Sequence, residues 1–213
     1  MKQCRRYNIL NESLYNDEFD LKKIDPNLKA HNLKILNNEN INSYISRLKD
    51  FKISRLTKTI NLSDEKSELN KLIMSDEILN IAKNYLNTKK ISINASFFIS
   101  NPLKTSENEK YRNAQYFHYD NDFTKFIKLY IYLNDVDHDN GPHIYIPGTH
   151  KLKKKDNKLC RLYTDTNIKN NYKESKIFTG NAGSMFFVDS FGIHKGLTPL
   201  NNFRLMLNIH FGR

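Results

Sequence analysis

Phe126-Ile127-Lys128-Leu129-Tyr130-Ile131-Tyr132-Leu133 is the stretch on which the fold turns. Its aromatic and β-branched content marks a β-strand, and successive strand side chains point to opposite faces. One face carries Phe126, Lys128, Tyr130 and Tyr132, while the other is purely aliphatic. The segment from Phe203 to Phe211 repeats the design: Arg204, Met206, Asn208 and His210 alternate with Phe203, Leu205, Leu207, Ile209 and Phe211. An aliphatic face packed under helices and a polar face lining a cavity would satisfy both strands. Such a division suits a small β-barrel with a site in its mouth.

Turn signals punctuate the chain between these strands. Asn140-Gly141-Pro142 and Pro147-Gly148 supply the positive and fixed φ of tight turns and bracket the short strand His143-Ile144-Tyr145-Ile146. A compact antiparallel meander is the expectation. Further on, Gly180-Asn181-Ala182-Gly183 leads into a strand over Ser184 to Asp189, and a turn through Phe191-Gly192 delivers His194 at the start of another strand.

Upstream lies His118-Tyr119-Asp120. In a strand, residues i and i+2 point the same way, so His118 and Asp120 would reach one metal together. A third ligand must then come from a different strand, and His194 is placed to supply it. Two histidines and one carboxylate can occupy one face of a ferrous ion and leave the opposite face open for an oxidant and an organic co-substrate. Among 7 histidines a His-x-Asp arises by chance fairly often, so its weight comes from its surroundings. The blander reading makes His118 and His194 ordinary buried histidines with hydrogen-bond partners. His138, His143, His150 and His210 lack a compact ligand spacing and are expected at solvent-exposed or rim positions.

The ordered set Gln115-x-x-His118-x-Asp120, Tyr132-Leu133-Asn134-Asp135-Val136, Asn140-Gly141-Pro142, Pro147-Gly148-Thr149-His150, Gly183-Ser184-Met185-Phe186-Phe187, His194-x-Gly196 and Arg204 resembles the phytanoyl-CoA dioxygenase family of iron(II)/2-oxoglutarate oxygenases. The resemblance covers roughly residues 91–213. It implies a mainly β fold with flanking helices, a cupin-like double-stranded β-helix or jelly roll. It implies Fe(II) held by His118, Asp120 and His194, with 2-oxoglutarate as co-substrate anchored through its far carboxylate by Arg204, and O2 as oxidant. A planar guanidinium suits that task because it grips a carboxylate through two parallel hydrogen bonds. The implied reaction hydroxylates an unactivated C–H bond and releases succinate and carbon dioxide. Relatives that halogenate carry a small residue in place of the carboxylate, so Asp120 favours hydroxylation, with desaturation or ring formation open to the same oxidant. Lys128 and Tyr130 on one inward face, and Asn208 on the other, are candidates for co-substrate contact, with rim packing as the alternative. Gln115, three residues before His118, would need a bend to point inward.

With 213 residues the chain accommodates one barrel plus a helical layer, and it shows no internal repeat. Residues 1–90 read as an arm and helical buttress of the same domain, and residues 91–213 as the catalytic core. The first part offers helical candidates rather than strands: Glu39 to Phe51, with Ile41, Tyr44, Ile45 and Leu48 on one face, and Ser75 to Leu86, with Ser75 as N-cap. Residues 1 to about 30 lack persistent periodicity and read as a loop or arm over the site. Two cysteines, Cys4 and Cys160, and no secretory signal suggest a reducing, cytoplasmic setting. No stretch reaches the roughly eighteen apolar residues of a membrane span.

Net charge is +11 at pH 7, and Lys151-Leu152-Lys153-Lys154-Lys155 is the one dense cluster. It reads as a solvated loop, or as a device steering an anionic small molecule such as a sugar acid, a phosphorylated metabolite or a carrier-bound acyl group. The expected partner is a small-molecule substrate, anionic or carbohydrate-related. Two alternatives belong to other classes. One is a jelly-roll binding or regulatory protein without turnover; the other is a nucleic-acid-directed oxygenase, suggested by charge alone, whose affinity would fall steeply with salt. The oligomeric state has no signal in the sequence.

Overall fold

The computed structural model describes residues 54–60, 62, 68–104, 106, 110, 114–122, 124–151 and 161–213. In chain order they form β1 (Arg55–Ile60), α1 (Glu68–Ile73), α2 (Asp76–Leu86), β2 (Ser92–Ser100), β3 (Phe117–His118), β4 (Phe126–Tyr132), a 3-10 turn (His138–Asn140), β5 (His143–Tyr145), β6 (Leu162–Tyr163), α3 (Asp165–Asn171), β7 (Lys176–Phe178), β8 (Met185–Val188), β9 (His194–Gly196) and β10 (Arg204–Gly212). Two five-stranded antiparallel sheets result, ordered β1-β2-β10-β4-β8 and β6-β3-β9-β5-β7. This is the jelly-roll arrangement expected from the sequence.

Period-two patterning explains the first sheet. β10 sits at its centre, paired with β2 from Arg204↔Ser100 to Gly212↔Ser92 and with β4 from Met206↔Tyr132 to Gly212↔Phe126. Leu205, Leu207, Ile209 and Phe211 of β10 join Ile127, Leu129 and Ile131 of β4 in one buried apolar layer. Ile73 of α1 and Ile78, Ala82 and Leu86 of α2 cover that layer. Those α2 positions are four residues apart and therefore share one helix face. α2 begins after Ser75, as expected, but the Ser75 hydroxyl makes no capping bond; its carbonyl instead accepts from the Leu79 N–H at 3.0 Å. The helix ends at Asn87, whose left-handed φ of 52° closes the last turn.

Three expectations meet different outcomes. β1 is a strand within the region read as helical; its alternation is masked in the sequence by Arg55 and Lys58, a pattern that an edge strand tolerates. The proposed helix over Glu39 to Phe51 and the arm before it lie outside the described residues. The meander around residue 140 is replaced by a change of sheet. Both edges of β4 are already taken by β10 and β8, so the chain crosses at Asn140-Gly141-Pro142 and β5 pairs with β7 and β9 instead. Gly141 makes this crossing possible: its φ is 72°, and an added Cβ would stand 2.4 Å from the Leu197 carbonyl oxygen.

Ile209→Ala, in the fully buried centre of β10, should cost about 2–5 kcal/mol. Met185→Ala on β8, 50% exposed, should stay within about 0.5 kcal/mol. Urea denaturation of both variants checks the assignment of the covered layer, and equal small effects would contradict it.

Candidate metal centre

The inward faces of both sheets line one cavity, and His118, Asp120 and His194 meet on its wall. β3 and β9 pair so that His118 and His194 are direct register partners. Their rings lie 4.4 Å apart between centroids. Asp120 falls just beyond the end of the short strand β3 rather than within it, and its backbone N–H donates to the Ser190 carbonyl at 2.8 Å. That bond turns the carboxylate toward the histidines. One ligand atom from each of the three side chains lies within 4.8 Å of the others.

Tautomers follow from the backbone. Nδ1 of His118 is 2.8 Å from the Tyr116 carbonyl oxygen, and Nδ1 of His194 is 2.9 Å from that of Gly192. A carbonyl only accepts, so each Nδ1 carries the proton and each Nε2 presents a lone pair. The two Nε2 atoms stand 3.8 Å and 3.5 Å from the Asp120 oxygens, too far for hydrogen bonds and open enough for an ion between them. Two neutral imidazoles and one carboxylate with fixed outer-shell partners fit a divalent first-row metal.

Burial sets the electrostatics. It lowers the pKa of His118 well below the ordinary histidine value, with His194 adding to the effect, and it lowers His194 despite the attraction of Asp120. For Asp120 burial opposes ionisation, but Lys128, His194 and His118 outweigh it and hold the carboxyl well below the usual range. Lys128 donates to Asp120 Oδ2 at 2.7 Å and to Asp122 Oδ2 at 3.1 Å. Burial works against its charge too, and Asp120 more than offsets it, so its pKa is raised.

Arg204 lies on the same cavity, 5% exposed. It donates through Nη1 to the Gly141 carbonyl and through Nη2 to Ser100 Oγ at 3.4 Å, while Nε is buried without a partner. No carboxylate pairs with it among the described residues, and burial pushes its pKa down to about 10. A desolvated guanidinium in this state can accept an anion. Its seat depends on Gly196, where an added Cβ would lie 2.8 Å from Nη2.

Lys128, Tyr130 and Asn208 also line the cavity, as their strand faces require; Gln115 does not. Asn208 donates to Ser96 Oγ at 3.2 Å, and its Oδ1 is buried and unpaired. His143 departs from its expected rim position. It is 3% exposed, its ring centroid lies 5.3 Å from that of His194, and its Nε2 is buried without a partner. No local signal marks this burial, which follows from β5 lying between β9 and β7. His138 is exposed and His150 half-buried, in line with the sequence reading. Of the Lys151–Lys155 cluster only Lys151, exposed, falls among the described residues.

The phytanoyl-CoA dioxygenase family model matches residues 32–203 of this chain. No curated protein matches it in sequence. Among solved structures, AviO1 from Streptomyces viridochromogenes Tue57 is 14% identical, with 81% of this chain and 80% of AviO1 covered at a TM-score of 0.53. HygX from Streptomyces hygroscopicus, solved with nickel and 2-oxoglutarate bound, is 11% identical, with 79% and 78% covered at a TM-score of 0.52. EvdMO1 is 16% identical over 75% of this chain at a TM-score of 0.49, and the match spans 35% of its length. At such identities the likeness is one of fold.

The buried histidines give the metal-free protein a signed pH dependence. His118, His143 and His194 have lowered pKa values, burial being the first cause in each, and His210 is pushed down to about 4 by burial and Lys128. Unfolded, each binds a proton near pH 6.5. Below that value the unfolded state holds more protons, so stability is full above about pH 7 and is lost as pH falls toward 5, by up to about 1.4 kcal/mol per histidine per pH unit. Asp120 adds its own loss only below about pH 4. The melting temperature of metal-free protein should therefore drop from pH 7 to 5; a flat profile would show that these imidazoles titrate normally.

Proposed function

The chain belongs to the phytanoyl-CoA dioxygenase family, iron(II)- and 2-oxoglutarate-dependent oxygenases, and from that premise we propose that it hydroxylates an unactivated C–H bond of an anionic small molecule. His118, Asp120 and His194 hold the iron in this reading, and Arg204 receives the far carboxylate of 2-oxoglutarate. The observation that carries it is the pairing, on one cavity, of a three-residue metal set with a buried arginine that no carboxylate among the described residues neutralises. Iron, 2-oxoglutarate and dioxygen together supply an oxidant able to break a C–H bond, with succinate and carbon dioxide released.

The protein's own part is to bind, orient and exclude water. His118 and His194 keep their Nδ1 protons on backbone carbonyls, which fixes the direction of each Nε2 lone pair. Arg204 offers a fork that meets both oxygens of a carboxylate, and its low-polarity surroundings strengthen that contact. Phe98, Tyr130 and Met206 add apolar wall. Burial with the nearby Asp120 raises the Tyr130 pKa to about 12, so its hydroxyl keeps its proton at physiological pH. Asp120 itself supports hydroxylation, since its carboxylate fills the place a halide would need.

Charge supports an anionic substrate. Arg55, Lys128, Arg161 and Arg204 line the cavity against Asp120 and Asp122. A ferrous ion and doubly charged 2-oxoglutarate cancel one another, so the cationic surplus of the walls persists when both are bound and favours a negatively charged third component. A sugar acid, a phosphorylated metabolite or a carrier-linked acyl group has the required sign.

Anaerobic titration of the protein with ferrous iron and then 2-oxoglutarate should produce the weak visible charge-transfer band of the chelate. His118→Ala and Asp120→Ala should abolish the band and succinate release while leaving the far-ultraviolet circular dichroism intact; full activity in either would remove that residue from the metal set. Arg204→Lys, which gives up one charge-assisted hydrogen bond, should weaken 2-oxoglutarate binding by about 10- to 100-fold. An unchanged affinity would take Arg204 out of its assigned role.

A further inference from the structure

Asp120 answers to two partners at once. Lys128 stands on β4, opposite His210 of β10 and Val188 of β8. Its side chain is 10% exposed, and its ammonium bridges Asp120 Oδ2 at 2.7 Å and Asp122 Oδ2 at 3.1 Å. The other oxygen of Asp120, Oδ1, lies 3.8 Å from His118 Nε2. Oδ2 in turn lies 3.5 Å from His194 Nε2, so both oxygens face the metal set and one of them is already bonded to an ammonium.

A carboxylate can ligate a cation through one oxygen or through both. The choice matters at a ferrous ion with three protein ligands, because its open positions must take a chelating keto acid and dioxygen. Closing both Asp120 oxygens on the ion would remove one of them. Resting on the iron and 2-oxoglutarate reading above, we propose that Lys128 is a positioning residue that restricts Asp120 to one-oxygen ligation by occupying Oδ2, with Asp122 anchoring the lysine from the other side.

Residue type fits this post. An ammonium is a compact charge with rotatable donors and can bond one oxygen from each of two carboxylates. A guanidinium fork in its place would take both oxygens of Asp120 and compete with the metal. Burial denies Lys128 an alternative partner in solvent, and Asp122, whose side chain is 36% exposed, holds it from the more open side of the cavity.

The test is infrared difference spectroscopy, ferrous-loaded minus metal-free, on protein carrying 13C-labelled aspartate. One-oxygen ligation separates the antisymmetric and symmetric carboxylate stretches widely; two-oxygen ligation brings them together. Wild type should show the wide pair. Lys128→Met should narrow it, keep ferrous affinity at or above the wild-type value, and lower 2-oxoglutarate affinity by about 10-fold. An unchanged separation, or a parallel loss of ferrous and 2-oxoglutarate affinity, would overturn the proposal and leave Lys128 a structural counter-charge. Lys128→Arg should instead weaken ferrous binding. If Lys128→Met does not fold, Asp122→Asn, which keeps the lysine and loosens its anchor, should shift the stretches partway in the same direction; no shift there would count against the device. Wild type without any metal-induced carboxylate change would overturn the triad reading along with it.

Discussion

Alternation along β10 is the constraint on which the molecule depends. Arg204, Met206 and Asn208 face the cavity because Leu205, Leu207, Ile209 and Phe211 face the helices, and a slip of one residue would exchange the two sets. Such a slip would bury the guanidinium under α2 and expose aliphatic side chains to the metal set. Pairing on both sides, with β2 and with β4, prevents it. The same pairing fixes Lys128 and Tyr130 on the cavity face of β4. Site and core are therefore two sides of one sheet, and neither can be rearranged alone.

The second sheet acts through a single close approach. β3 is only two residues long and β9 three, yet their register sets His118 directly against His194. Short strands suffice because the side chains are anchored by their own backbone: Tyr116, Gly192 and Ser190 carbonyls hold the two imidazoles and the Asp120 amide. Three loop carbonyls, more than strand length, orient the donors. Around them the charges are arranged so that the carboxylate is ionised, the imidazoles are neutral and the arginine has no carboxylate partner among the described residues. This is the protonation state in which a cation and a dicarboxylate can enter without a proton leaving the walls.

Much of this was legible in the sequence where the information is local. Period-two alternation revealed β4 and β10 together with the faces of Lys128, Tyr130, Arg204 and Asn208, and the His-x-Asp with a distant histidine pointed to the residues that converge. What escaped depends on partners distant in sequence. β1 is an edge strand recognisable only through its pairing with β2. The chain changes sheets after β4 because β8 and β10 already occupy that strand's edges, a fact that residues 126–145 do not contain. His143 is buried by neighbours on β7 and β9, so its own surroundings in the sequence gave no hint. The Lys128–Asp120 bond likewise requires the Ser190 carbonyl to turn Asp120 inward from seventy residues away in the chain.

The central place of β10 has a consequence for how the chain acquires its shape. Arg204 pairs with Ser100, 104 residues earlier, and β2 and β4 are both made long before the strand that joins them. Until β10 arrives, the facing edges of those two strands expose unpaired backbone groups and aliphatic side chains to whatever else is nearby. Contacts this remote in sequence put the folding rate in the slow class typical of β-sandwiches. On the ribosome, completion of the first sheet must wait for the last strand of the pair of sheets to emerge, so the nascent molecule passes through a period when association with other chains competes with its own closure.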